Sequence, residues 1–324
     1  MVPCRAALTS GQKLASSELP RADGGTLKVY RVPPPSPRPS FLAHPRLRRA
    51  SPISHYAVAA ALEALGLDSP VQANQSSRIG IIFCVMTGCV NYSRRFYDEV
   101  LKEPATASPM LFPETVLNAP ASHLAAVLCS EEIAYTLVGD GSMFVQGLAT
   151  AAEWLCEGRV DRCVVVGAEE IDWLVTEGVQ LFNSDILVSE GAGALCLERH
   201  NGSTPGVGLA AIGDPVLFTA RTTRWQAAVR ARKELQDSSL PAGTLLCDGL
   251  QDNSYLDRDE ARAWSDWAGP RLSPKRFLGE GLAAASAWQC VAAVDALRQQ
   301  LYNAAQVSVV GLNQQAIVAR FQRV

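Results

Sequence analysis

The stretch Thr136-Leu137-Val138-Gly139-Asp140-Gly141-Ser142 joins a short apolar strand to a helix of small residues. The helix is predicted over residues 141–156, where Ala and Gly recur between the larger apolar side chains. Buried helices need small side chains so that neighbouring backbones can approach closely. The stretch therefore predicts a helix that lies in a buried layer, covered by sheets.

Predicted buried strands flank this helix on both sides along the chain. Residues 78–85 (R-I-G-I-I-F-C-V) and 162–166 (R-C-V-V-V) are nearly continuous apolar runs, which are typical of strands covered on both faces. The alternation of strands and helices continues to the end and predicts two consecutive α/β halves of unequal length. The further predicted helices are 54–65, 91–102, 124–129, 222–235, 256–267 and 279–301, and the further strands are 133–138, 192–198, 208–212, 244–247, 307–310 and 316–320.

The composition indicates a globular protein with a large core. Of 324 residues, 48% are hydrophobic and 19% charged, which excludes disorder, collagen and coiled coil for the chain as a whole. A net charge of −3 is unlike that of a dedicated nucleic-acid binder. Nine Cys without a close C-x-x-C pair argue against a zinc site and against a secreted disulfide scaffold. We expect a cytoplasmic protein without a targeting or membrane segment, a metal or a cofactor.

The N-terminal segment differs in charge from the rest. The first fifty residues contain nine Lys or Arg against two acids, and nine of the 19 prolines precede Ile53. We therefore predict an extended basic arm over residues 1–52, followed by halves over 53–204 and 205–324. The arm either docks on an acidic partner or wraps the core of its own chain.

Several short segments resemble, in order, landmarks of the elongating β-ketoacyl-acyl-carrier-protein synthases. The resemblance implies the thiolase fold, in which two related α/β halves form a five-layer α-β-α-β-α sandwich that is usually dimeric. The matching segments are residues 112–118 (F-P-E-T-V-L-N), 136–142, the run from Gly158 to Glu170, residues 190–198 (E-G-A-G-A-L-C-L-E), 247–249 (C-D-G), 275–280 (K-R-F-L-G-E) and 310–313 (V-G-L-N).

The resemblance fails at the catalytic residues. Ketosynthases carry the acyl chain on a Cys at the N-terminus of a buried helix, where the helix dipole favours the thiolate, and two His bind the malonyl unit. In the family's motif spacing, the Cys position is Gly141 and the His positions are Asp248 and Glu280. Carboxylates there would repel the malonyl carboxylate. Lys275 alone is kept, so we expect no catalytic residues and only vestiges of a site.

Other side chains were considered as nucleophiles. Ser142 follows the vacated position, and its hydroxyl either attacks a substrate or caps the helix. Cys84 and Cys89 flank the end of the strand 78–85, at a plausible site edge. A buried Cys more often acts as a small hydrophobic residue, which is how we interpret the cysteines at 156, 163, 196, 247 and 290.

The carboxylates at the former His positions also allow two interpretations. Asp248 and Glu280 form a pair for acid–base chemistry, or Glu280 forms a salt bridge with Lys275 that fills a defunct site. We favour the salt bridge. Glu169 is expected to organise the sheet edge.

The resemblance implies a function without chemistry of its own. Chain-length factors lack the active Cys, pair with a catalytic ketosynthase and shape the acyl tunnel in fatty acid or polyketide and polyene biosynthesis. We expect such a heterodimer, acting with an acyl carrier protein that holds the chain on phosphopantetheine, and no nucleic-acid or membrane partner. Arg46, Arg48 and Arg49 are candidates for meeting that carrier protein. The alternatives are an acyltransferase or hydrolase that uses Ser142, Asp248 or Glu280, and a homodimer that only binds an acyl ligand.

Overall fold

The computed structural model describes residues 2–67, 77–181, 183–202, 205–235 and 240–324. No helix within these ranges has the length and apolar character needed to cross a bilayer. The helices are α1 (Val2–Ser10), α2 (Pro52–Leu65), α3 (Val90–Lys102), α4 (Ala119–Leu128), α5 (Met143–Cys156), α6 (Trp173–Gln180), α7 (Arg221–Glu234), α8 (Ser254–Ala263), α9 (Lys275–Leu278) and α10 (Ala283–Arg298). The strands are β1 (Ser17–Pro20), β2 (Thr26–Tyr30), β3 (Ile79–Val85), β4 (Ala134–Val138), β5 (Arg162–Glu169), β6 (Val188–Ser189), β7 (Gly191–Glu198), β8 (Val207–Ile212), β9 (Val216–Leu217), β10 (Leu245–Cys247), β11 (Arg271–Leu272), β12 (Ala304–Val310) and β13 (Gln315–Arg323).

The sheet of the first half has the strand order β4-β3-β5-β7 among the described residues. Strand β3 runs parallel to both β4 and β5, and β7 closes the sheet antiparallel to β5. All seven residues of β3 are buried, as a near-continuous apolar run predicts for a strand covered on both faces.

The sheet of the second half has the order β11-β10-β12-β13-β8 along its main path in the described chain. Strand β10 is parallel to β11 and β12, whereas β13 is antiparallel to β12 and β8. Strand β13 extends beyond the predicted 316–320 at both ends, because it pairs with β9 near its start and with β8 near its end.

Helices cover both sheets, and the apolar contacts define the layers. Helices α2 and α4 pack on the outer face of the first sheet. Helices α5 and α10 lie between the two sheets, and α7 and α8 cover the outer face of the second. This arrangement confirms the predicted five-layer α-β-α-β-α sandwich of two halves.

The N-terminal segment contains more regular structure than its prolines predict. It includes α1 and the antiparallel hairpin of β1 and β2, and β2 also pairs in parallel with β6. The sequence T-L-K-V-Y of β2 explains the difference, since Leu27, Val29 and Tyr30 are buried within the hairpin layer. The boundaries at 52 and 204 stay predictions, and residue 204 lies outside the described ranges.

Candidate functional site

Four segments from the two halves meet at the N-terminal end of α5. They leave a cleft of about 10 Å³, room for a single water molecule. Ligand pockets in proteins measure about 300–1,000 Å³, so this cleft does not hold an acyl chain. The described residues also contain no group of three His, Cys, Asp or Glu side chains placed to hold a metal ion. The cleft is lined by Met86, Asp140, Gly141, Lys275, Glu280, Leu282, Ser286, Gln289, Val309, Val310, Gly311 and Leu312.

Gly141 lies immediately before α5, at the position that the resemblance assigns to the nucleophile. A Cβ atom there would lie 3.1 Å from the carbonyl oxygen of Leu282, tighter than an ordinary contact. Leu282 has φ 52° and ψ −118°, which a non-glycine residue rarely adopts. Its N–H donates to Glu280 Oε1 at 2.9 Å, which holds this backbone in place. The Leu282 carbonyl thus crowds the position beside Gly141 from which a nucleophile's side chain would start.

Asp140 fixes the turn before α5 to the loop between β12 and β13. Its Oδ1 accepts hydrogen bonds from the N–H and hydroxyl of Ser142. Its Oδ2 accepts from the N–H groups of Gln314 at 3.1 Å and Gln315 at 3.3 Å. A Cβ atom at Gly311 would lie 1.8 Å from the same Oδ2, so the carboxylate requires glycine there. Asp140 is not among the site residues predicted from the sequence, although an acid between two glycines could have indicated a structured turn.

Of the two roles that the sequence allows for Ser142, the structure does not show the helix cap. Ser142 occupies the N-cap position of α5, but its side chain makes no capping bond, because the hydroxyl donates to Asp140 instead. Ser142 is completely buried. A hydroxyl nucleophile needs both access and a base within reach, and Asp140, its hydrogen-bond acceptor, is 1% exposed.

Lys275 and Glu280 form the salt bridge that we favoured. Lys275 Nζ lies 2.7 Å from Glu280 Oε2, and the two side chains are 10% and 1% exposed. Glu280 Oε1 is also occupied by the N–H of Leu282. The structure therefore brings Glu280 to Lys275 rather than to Asp248.

Asp248 instead shares its buried surroundings with Glu260 on α8, a residue that the sequence did not single out. Asp248 Oδ1 accepts from Ser273 Oγ at 2.6 Å, while Oδ2 has no hydrogen-bond partner in the described part of the chain and lies 3.4 Å from Arg271 Nε. Glu260 accepts from Ser308 Oγ at 2.6 Å. Burial, and then the negative charge of Asp248, raise the pKa of Glu260 to about 7. Burial also raises the pKa of Asp248.

Glu169 and Glu170, at the end of β5, each organise a different piece of backbone. Glu169 accepts hydrogen bonds from Met86 N and from both donors of Thr87, as expected of a residue that structures the sheet edge. Burial nevertheless raises the pKa of Glu169 to about 7. Glu170 accepts from Ser51 Oγ at 2.7 Å, and from backbone N–H groups at the starts of α2 and α3.

The buried cysteines are poor nucleophiles. Burial raises the pKa of Cys84, Cys89 and Cys290 far above the ordinary range, and that of Cys163 to about 12. A thiol attacks as the thiolate, so these four groups stay protonated at neutral pH. Cys129 and Cys156 are exposed on the surface, so the interpretation of Cys156 as a buried residue is wrong: it is the last residue of α5, where the helix meets solvent.

Comparison with known proteins gives a fold but no close relative. No protein-family model matches the sequence, and no curated protein matches it. Several solved structures, in contrast, align with nearly the whole chain. "The ishigamide ketosynthase/chain length factor" aligns with a TM-score of 0.80 at 17% identity over 100% of this chain and 95% of the other.

Two further structures agree with the first. The ketosynthase ApeO in complex with its chain length factor ApeC, from Xenorhabdus doucetiae, gives a TM-score of 0.75 at 15% identity, over 98% of this chain and 92% of that one. A β-ketoacyl synthase from Burkholderia phymatum gives 0.73 at 16% identity, over 99% and 94%. The chain therefore has the thiolase-like fold of the ketosynthases.

Proposed function

We propose that this chain is a non-catalytic ketosynthase-like subunit of the chain-length-factor type. It pairs with a catalytic ketosynthase in fatty acid or polyketide and polyene biosynthesis, and it helps to shape the tunnel that holds the growing acyl chain. In this proposal Gly141, Asp248, Lys275 and Glu280 are vestiges of a catalytic site. Two of the similar solved structures have titles that name a ketosynthase together with a chain length factor, which supports the pairing.

One observation carries the proposal: the space at the start of α5 is closed by the protein itself. The Leu282 carbonyl crowds Gly141, and the salt bridge of Lys275 and Glu280 neutralises the cation that the resemblance places in the site. Gly141 has no side chain that could be acylated. A lysine whose charge is neutralised by Glu280 does not attract a malonyl carboxylate. The fold is kept while the chemistry is removed, which is what a subunit needs if its role is pairing.

The exposed edge of the first sheet supports a partner. Among the described residues, β4 pairs only with β3, so its other edge presents free N–H and C=O groups. Tyr135 and Val138 on β4 are 48% and 51% exposed. An exposed apolar edge strand invites pairing with another chain, and homologous subunits pair through matching surfaces. We assign this edge to the partner ketosynthase.

The basic N-terminal segment supports contact with an acidic carrier protein. Arg46, Arg48 and Arg49 are exposed and form no salt bridge within the described part of the chain. Leu47 and Ala50, between and after them, are buried against the core. The arginines therefore project from an anchored segment, which lowers the entropy cost of binding.

Co-expression with a catalytic ketosynthase from the same genome tests the pairing. We expect a stable heterodimer by size-exclusion chromatography with light scattering, and elongation of longer chains than the partner makes alone. The variant Tyr135→Lys/Val138→Lys should lose the heterodimer. The matched control Leu181→Lys/Leu217→Lys, at positions that are 83% and 72% exposed elsewhere, should keep it. A partner that elongates equally well without this chain would refute the subunit role.

Intact-mass analysis after incubation with an acyl thioester tests the absence of chemistry. We expect no covalent adduct on the isolated chain. A stable acyl adduct on Ser142 or on any cysteine would establish the alternative, an acyltransferase or hydrolase on the same fold.

A further inference from the structure

A seam of stacked arginine and aromatic side chains runs along the outer face of the second half, between α7 and α8. We define the α7–α8 seam by five residues: Arg221 and Trp225 on α7, and Tyr255, Arg258 and Arg262 on α8. The Arg262 guanidinium lies 3.8 Å from the centroid of the Trp225 ring, and the Arg221 guanidinium lies over the Tyr255 ring. The loops of the candidate site contribute none of these side chains.

The positive charge of the seam is only partly balanced. Asp259 lies beside the seam, and its side chain is 3.4 Å from Arg224 and 3.6 Å from Arg258. Asp257, on the same helix, accepts hydrogen bonds from the backbone of residues 251–253. Burial and the positive charges of Arg224 and Arg258 lower the pKa of Arg221. Asp259 therefore pairs with Arg224 and Arg258, and no ion pair of Arg221 or Arg262 is present among the described residues.

The stacking prepares these arginines to bind carboxylates. The Trp225 ring beneath the Arg262 guanidinium fixes its plane, in the geometry that binds a carboxylate through two hydrogen bonds. The Arg221 guanidinium already donates one hydrogen bond, to the Tyr255 carbonyl oxygen at 2.9 Å. Arg262 has no carboxylate partner among the described residues. Arg, Trp and Tyr are also the residue types that are enriched in protein interfaces.

We propose that the α7–α8 seam docks a carboxylate-rich segment of a partner protein. Tyr255 and Arg262 are seven residues apart on one helix, which separates the ends of the seam by about 10 Å. One small anion does not span that distance, whereas a peptide with several acids does. The guanidinium groups already cover the ring faces, so bases of a nucleic acid cannot stack on them. This surface and its partner are independent of the proposed heterodimer.

Binding of a fluorescein-labelled poly-L-glutamate peptide at low ionic strength tests the docking. The experiment uses the full chain with Arg46, Arg48 and Arg49 changed to Gln, so that the N-terminal arginines contribute nothing. We expect binding that weakens with added salt. The further change Arg221→Gln/Arg258→Gln/Arg262→Gln should weaken it about tenfold. The triple Lys variant at the same three positions should bind the peptide with an affinity between those of the parent and the triple Gln variant, because it keeps the charge and loses the paired hydrogen bonds.

The fold of each variant is checked by circular dichroism and melting temperature. Absence of peptide binding by the parent chain would overturn the proposal, as would equal binding by the triple Gln variant. Tighter binding of a single-stranded oligonucleotide or of phosphatidylglycerol vesicles, lost in the same triple Gln variant, would also overturn it by assigning the seam to another partner.

Discussion

The two halves of the molecule bury acidic side chains in opposite ways. In the first half, Glu169 and Glu170 each accept several hydrogen bonds from nearby loops and helix starts. In the second half, the negative charge of Asp248 adds to burial in raising the pKa of Glu260, and Asp248 Oδ2 has no hydrogen-bond donor among the described residues. Buried carboxylates are tolerated when donors surround them and are costly when they face one another.

The difference distinguishes buried acids that hold the fold together from acids that stand at the former catalytic positions. The acids of the first half hold helices and loops in place, so the fold depends on them. Asp248 and Glu280 stand where the family resemblance expects histidines, and the surrounding residues accommodate them unequally. Glu280 has a lysine partner, whereas Asp248 has only the more distant Arg271. Substitutions in each half therefore have different expected effects.

The largest effect is expected for Lys275→Met. It leaves Glu280, which is 1% exposed, as a buried charge without its cation, and loss of one partner of a buried pair costs about 3–5 kcal/mol. Urea unfolding at neutral pH measures the loss. The double variant Lys275→Met/Glu280→Gln should regain most of the stability, because no unpaired charge remains and the Gln side-chain oxygen can still accept the Leu282 N–H. Equal losses in the single and double variants would show that the salt bridge does not act as a pair.

Glu170→Ala is expected to cost about 2–4 kcal/mol, because it leaves buried donors from Ser51, Ile53 and Asn91 without an acceptor. The effect should appear as a lower free energy of unfolding and as faster hydrogen exchange at the starts of α2 and α3. Glu153→Ala removes an exposed acid on α5 and serves as the control, with an expected change within about 0.5 kcal/mol. A comparable loss in both variants would contradict the capping role.

The pH dependence of the free energy of unfolding tests whether Asp248 and Glu260 in the second half interact. The pKa of Glu260 is about 7 in the folded chain against an ordinary 4.5, so the folded state binds an extra proton between these values. Its contribution to stability is present below about pH 4.5 and is lost as the pH rises through about 7. Asp248→Asn should lower the pKa of Glu260 and flatten this decline by on the order of 1–2 kcal/mol. Urea unfolding at several pH values measures it.

The decline that Glu169 causes should survive in the Asp248→Asn variant, because burial rather than a facing acid raises the pKa of Glu169. Glu169→Gln is therefore the matched comparison. A pH profile that Asp248→Asn leaves unchanged would show that Asp248 and Glu260 do not interact.

The sequence was sufficient to predict the layers but not every segment. Apolar runs such as 78–85 and 162–166 can only be strands covered on both faces, and the structure places them as β3 and β5. The N-terminal segment was harder, because prolines suggest extended chain while the pairing of β2 with β6 depends on residues about 160 positions away.

Sequence patterns likewise predict only some of the contacts in the candidate site. The salt bridge of Lys275 and Glu280 joins residues five positions apart and was visible in the sequence. The partner of Asp248 was not, because Glu260 reaches it from α8 through tertiary packing. The strained backbone of Leu282 was also hidden, since no sequence pattern indicates a leucine with positive φ. Because of this backbone conformation, the helix that is predicted over residues 279–301 begins only at Ala283.

The smallest expected effect lies where the halves meet, at Gly141→Cys. The new Cβ would lie 3.1 Å from the Leu282 carbonyl, so the loop has to shift by a few tenths of an ångström, and crowding of this small extent costs about 1 kcal/mol. Gly141→Ala adds the same Cβ without a thiol and should cost nearly as much, so the two variants together separate crowding from chemistry. We expect no acyl adduct on Cys in intact-mass analysis, because the cleft admits about one water molecule. Acylation of the new cysteine would show that the loop at Leu282 opens readily and that the second half does not close the site.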